Sequence, residues 1–79
     1  MVQFDRQTIG SVVKRLREEK NLSQDVLSGL AGIARTHLSM IENGKKQANF
    51  ETIWKLALAL ELSPSELVSL IEQELKYRK

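Results

Sequence analysis

Apolar residues recur along the chain with a helical period of three to four, and no alternating run rich in valine and threonine interrupts them. Ile9, Val12, Val13 and Leu16 follow the i, i+3, i+4, i+7 spacing of one buried stripe. They predict a first helix from Arg6 to Lys20, capped by Asp5 and ended by Asn21. Ser23 is a good N-cap for a second helix, Gln24 to Ala31, which Gly32 stops. Gly29 inside it costs up to ~1 kcal/mol relative to alanine. A third helix runs from Arg35 to Asn43 and is closed by Gly44. Ala34, Leu38 and Ile41 share one face. Thr36, Ser39, Met40 and Asn43 share the opposite face, which Arg35 borders, and His37 and Glu42 lie on the flanks.

The fourth helix spans Phe50 to Leu60 with Asn49 as its cap. Ile53, Leu56, Ala57 and Leu60 form its buried stripe, and Trp54 and Leu58 a second one. Ser63-Pro64-Ser65-Glu66 is a capping box with proline at the first helical position, the strongest local signal in the chain. It opens a fifth helix that continues to Lys76, with the last four residues expected to fray. The expected fold class is therefore all-α, with five helices in a single domain over residues 1–79.

Length and charge refine this picture. A chain of 79 residues buries only ~60–65% of the surface it exposes when unfolded, and association is a common remedy at that size. No cysteine is present, so neither a disulfide nor a thiolate metal site can form. The single histidine, His37, cannot hold a metal alone. No cofactor is expected. No apolar run approaches the ~20 residues of a membrane span, and residues 1–6 lack a signal-peptide core, so a cytoplasmic location fits. The net charge of +2 is unevenly spread. Residues 1–46 hold eight basic and five acidic side chains, and residues 47–79 four and five. The excess positive charge suits an anionic partner in the first half. No phosphate-binding glycine loop, metal cluster or nucleophile with a positioned base is visible, which argues against an enzyme.

Residues 23–44 carry the function. Two short helices joined by a glycine-containing turn make a helix-turn-helix, and small Ser28 and Ala31 let the two helices cross closely. In such motifs the start of the second helix reaches base edges in the major groove. Arg35 suits a bidentate contact to guanine O6 and N7. Thr36 and Ser39 suit bases, a thymine methyl or phosphate. Met40 either touches a thymine methyl or is simply an exposed apolar residue. Asn43, Lys45 and Lys46, which follow the recognition helix, suit neighbouring phosphates, and His37 lies on the flank near DNA. On the fifth helix Leu67, Val68, Leu70, Ile71 and Leu75 span an arc of about 160°, wider than the ~100° stripe of one core contact. With Trp54 and Leu58 they are the candidate interface of a two-fold homodimer.

The stretch Leu22-Ser23-Gln24, Leu27, Ala31-Gly32-Ile33, Arg35, Ser39 and Ile41 to Lys45, followed by Thr52-Ile53, Leu56-Ala57 and Ala59-Leu60, resembles the Cro/C1-type (XRE) helix-turn-helix family. The likeness covers residues 8–70. Within the family, the chain's size and its Arg35-Thr36 pair resemble the controller proteins of restriction–modification systems. The resemblance implies a five-helix lambda-repressor-like domain and a sequence-specific transcriptional regulator that binds double-stranded DNA as a homodimer on a palindromic operator. It further implies a phosphate contact for Gln24 and an orienting ion pair between Arg17 and Glu42. Two positions depart from the family pattern. Ala34 stands where serine or threonine commonly caps the recognition helix, and Ala48 where proline is common. An antitoxin that masks a toxin, or a protein-binding adaptor, on the same fold is the alternative, and RNA polymerase is a further candidate partner.

Overall fold

The computed structural model describes residues 3–77. It holds five helices, and no strand occurs among the described residues: α1 (Arg6–Glu19), α2 (Gln24–Ala31), α3 (Arg35–Glu42), α4 (Phe50–Ala59) and α5 (Pro64–Tyr77). Each start but one is fixed by a side chain. Asp5 accepts from the backbone N–H of Gln7 at 3.0 Å and from the buried Thr8 hydroxyl at 2.8 Å. Ser23 caps Val26, and Asn49 caps Thr52. The Ser63–Glu66 box closes in both directions, at 2.8 and 3.1 Å. The exception is α3, where Ala34 has no side-chain acceptor to offer. Helix α5 reaches Tyr77, so Lys76 and Tyr77, two of the last four residues expected to fray, are helical; the other two, residues 78 and 79, lie outside the described residues.

Helices α1, α2 and α4 end in matching turns. Gly32 (φ 70°) closes α2 in the left-handed region that glycine enters freely. Asn21 (φ 58°) and Glu61 (φ 62°) do the same after α1 and α4 with side chains attached. In each of those two turns the next residue's N–H reaches back into the helix, Leu22 to the Arg17 carbonyl at 3.1 Å and Leu62 to that of Ala57 at 2.9 Å. Lys20 and Glu61 join the two turns by an exposed ion pair at 3.1 Å.

The five amphipathic helices bury one common core. Val12, Val13, Leu27, Leu38, Leu56, Leu60 and Leu67 are fully enclosed in it. Helix α1 packs on α3 and α5, α4 on α2 and α5, and α2 crosses α3. The α1–α3 crossing is close enough that a Cβ on Gly10 would overlap the carbonyl oxygen of Ile41. Ser28 and Ala31 of α2 are both buried.

The α5 arc divides in a way the sequence pattern does not show. Leu67 and Ile71, expected at a dimer interface, are buried in the protomer's own core, because their i, i+4 stripe is the one that faces α1 and α4. Leu70 and Leu75 are half-buried at the edge of that core. Only Val68 of the five points outward, and on α4 Trp54 and Leu58 are also exposed.

Candidate nucleic-acid interface

The outer face of α3 is built from the inside. Leu38 and Ile41 sink into the core and fix the roll of the helix. One residue per turn on, the opposite side is left to solvent. Arg35, Thr36 and Met40 are exposed there, and Ser39 and His37 are half-buried. Beyond the helix, Gly44 (φ 72°) turns the chain so that the Lys45 N–H meets the Met40 carbonyl at 2.9 Å. Asn43, Lys45 and Lys46 emerge exposed from that turn. Arg35, Lys45 and Lys46 therefore bracket α3 with positive charge at both ends.

Behind α3 lies a buried ion pair. Arg17 of α1 donates from Nε to Glu42 Oε2 at 2.7 Å and from Nη2 to Glu42 Oε1 at 3.0 Å. Its third nitrogen donates to the Leu22 carbonyl at 2.7 Å. The Glu42 side chain is 1% exposed and that of Arg17 is 11% exposed. The Glu42 hydrogen bond outweighs burial and holds the Arg17 guanidinium above its ordinary value, so Arg17 stays charged. Every buried side-chain polar atom among the described residues has a partner.

The same carboxylate reaches the surface through Gln24. The Gln24 amide donates to Glu42 Oε1 at 2.9 Å. Its carbonyl oxygen is thereby turned toward Arg35, whose Nη1 donates to it at 3.5 Å. Asp25 Oδ1 lies 3.3 Å from Arg35 Nε. Gln24, which the family resemblance puts on the DNA backbone, thus links the buried pair to the first residue of α3. The Asp25–Arg35 pair was not foreseen. Its trace in the sequence is an acid in the first turn of α2 and an arginine at the first position of α3, which meet only once the α2–α3 crossing is known.

The structure thus brings Gln24, Arg35, Thr36, His37, Ser39, Met40, Asn43, Lys45 and Lys46 onto α3 and its two flanks. Trp54, Leu58 and Val68 lie apart on α4 and α5. No helix among the described residues is long and apolar enough to cross a membrane.

Comparison with known proteins agrees with the helix-turn-helix fold. Residues 13–67 match the helix-turn-helix family HTH_3. The uncharacterised HTH-type transcriptional regulator y4dJ of Sinorhizobium fredii is 38% identical over 64 residues, which span 81% of this chain and 83% of that protein. The crystal structure of the restriction–modification controller protein C.AhdI from Aeromonas hydrophila superposes with a TM-score of 0.75 at 35% identity, covering 78% of this chain and 94% of that one. The controller C.Esp1396I, solved as a tetramer with its natural 35-base-pair operator, shares the fold at a TM-score of 0.84 and 23% identity, over 94% of this chain and 97% of that one. The chain belongs to the HTH_3 helix-turn-helix family and is a helix-turn-helix transcriptional regulator similar to the controller proteins of restriction–modification systems.

Proposed function

We propose that this regulator binds double-stranded DNA as a two-fold homodimer, lays α3 of each protomer in the major groove, and acts on a palindromic operator that controls restriction–modification genes. The observation that carries the reading is the arrangement of α3. Its base-sized polar and cationic groups, Arg35 and Thr36, stand exposed at its N-terminal end, and the helix is held from behind by the Arg17–Glu42 pair. That is the part of a recognition helix that reaches base edges. Arg35 takes guanine, and Thr36, Ser39 and Met40 take the neighbouring edges. Asn43, Lys45 and Lys46 hold phosphates on one side, and Gln24 and His37 on the other. The exposed apolar residues Trp54, Leu58 and Val68 of α4 and α5, together with the half-buried Leu70 and Leu75, support the dimer contact. The likeness to C.AhdI supports the genetic setting. The role is binding rather than catalysis.

The reading is tested with the full chain on two duplexes, one carrying its preferred site and one scrambled, across a salt series. Log affinity falls linearly with log salt as phosphate contacts release counterions. Arg35→Ala lowers discrimination between the duplexes by about 1–3 kcal/mol. Lys46→Ala weakens both complexes alike and lowers the salt slope by about one. Unchanged affinity and discrimination in Arg35→Ala contradict the placement of α3.

A further inference from the structure

We propose that Asp25 is a specificity-determining positioning residue: its carboxylate grips Arg35 by Nε and aims the guanidinium at base edges rather than at the DNA backbone. The inference rests on the reading of Arg35 as a base-contacting group.

The geometry has three parts. First, Arg35 sits at the end of an unbroken chain of contacts. Arg17 fixes Glu42, Glu42 accepts from the Gln24 amide, and the Gln24 carbonyl oxygen then faces Arg35. Asp25 closes the chain from the other side of the guanidinium, at 3.3 Å. Second, Gln24 takes one N–H of Nη1, and Asp25 lies against the Nε edge as an ion-pair partner. A guanidinium has five N–H donors; with that Nη1 proton and the Nε edge set aside, three remain, and guanine O6 and N7 need two. The grip of Asp25 can therefore persist in the DNA complex. Third, the pair contributes little to the fold. The Arg35 and Asp25 side chains are 58% and 80% exposed, and exposed ion pairs contribute little to stability. What the pair does fix is the direction of a long, flexible side chain.

A carboxylate on a DNA-facing surface also has a cost, because it repels phosphates. That cost falls on every sequence alike. The gain falls only on sites where an aimed Arg35 finds guanine, so the net effect is discrimination. Without Asp25, Arg35 becomes a free cation that any phosphate can take. Asp25 also complements the N-terminal dipole of α2, a structural effect that has no bearing on sequence preference.

The test compares wild type, Asp25→Asn, Asp25→Glu, Arg35→Ala and the Asp25→Asn/Arg35→Ala double variant. Each full-length protein is titrated on the preferred and the scrambled duplex at one salt concentration, with thermal unfolding as a check on the fold. Asp25→Asn tightens binding to the scrambled duplex and lowers discrimination about two- to fivefold, the coupling of an exposed ion pair. Asp25→Glu retains most of it. In the Arg35→Ala background Asp25→Asn leaves discrimination unchanged. An equal change on both duplexes, or the same loss of discrimination with Arg35 absent, overturns the inference. If Arg35→Ala keeps wild-type discrimination, the reading of α3 fails and this inference with it. If Arg35→Ala loses discrimination and Asp25→Asn does not, only the role of Asp25 falls.

Discussion

Arg17 Nε lies 2.7 Å from Glu42 Oε2, joining the last full turn of α1 to the last residue of α3 across 25 positions of sequence. Removing one partner strands a buried charge, which costs about 3–5 kcal/mol. Glu42→Ala and Arg17→Ala should each unfold at much lower urea concentration than wild type. An apolar pair such as Arg17→Met with Glu42→Leu restores most of the stability. It does not restore the acceptor for the Gln24 amide. The double variant should therefore fold and still bind its site more weakly, as denaturation and titration on one preparation would show.

Two helical glycines make opposite predictions. At Gly10 a methyl group would overlap the backbone of Ile41. Gly10→Ala must push α1 off α3, and the repacking costs about 1–3 kcal/mol or more. At Gly29 a Cβ meets nothing within 4 Å. Gly29→Ala should raise stability by up to about 1 kcal/mol through helix propensity alone. Thermal melts of the two variants should shift in opposite directions.

Ala34 leaves the first N–H groups of α3 without a side-chain acceptor, while its backbone is already extended as an N-cap requires (φ −68°, ψ 144°). Ala34→Ser should add about 1 kcal/mol. Slower amide hydrogen exchange at residues 36 and 37 would locate the gain in the new cap.

Glu66 carries a pH dependence. The Ser63 N–H and hydroxyl hold its carboxyl below the ordinary value of 4.5. The folded pKa is thus depressed relative to the unfolded chain. The carboxylate's contribution is complete above the unfolded value and is lost as pH falls through the folded one. Melting temperature on acidification should drop less steeply in Glu66→Gln than in wild type, and above neutrality the two slopes should agree.

Much of the fold was legible because its boundaries are written in local chemistry. Asp5, Ser23, Asn49 and Ser63 announce helix starts by their own side chains, and Gly32 and Gly44 announce two of the turns. What was not legible depends on neighbours. Leu67, Ile71 and Val68 are equally apolar in sequence, and only the docking of α5 on α1 and α4 sends the first two inward. Gly10 gives no local sign of its role, which shows only once Ile41 is placed against it. The face of α3 was readable because Leu38 and Ile41 fix its roll. The contacts that hold Arg35 were not, because Gln24 and Asp25 meet it across a helix crossing that no local pattern encodes.

The most direct measurement is selection of bound sequences from a random DNA pool by the wild-type protein. Sites of two-fold symmetry should be enriched, with half-sites one helical turn apart, about 34 Å, and with a guanine whose enrichment disappears in Arg35→Ala. A pool that emerges without sequence preference, or a preference identical in Arg35→Ala, would contradict the central claim that the exposed start of α3 reads DNA.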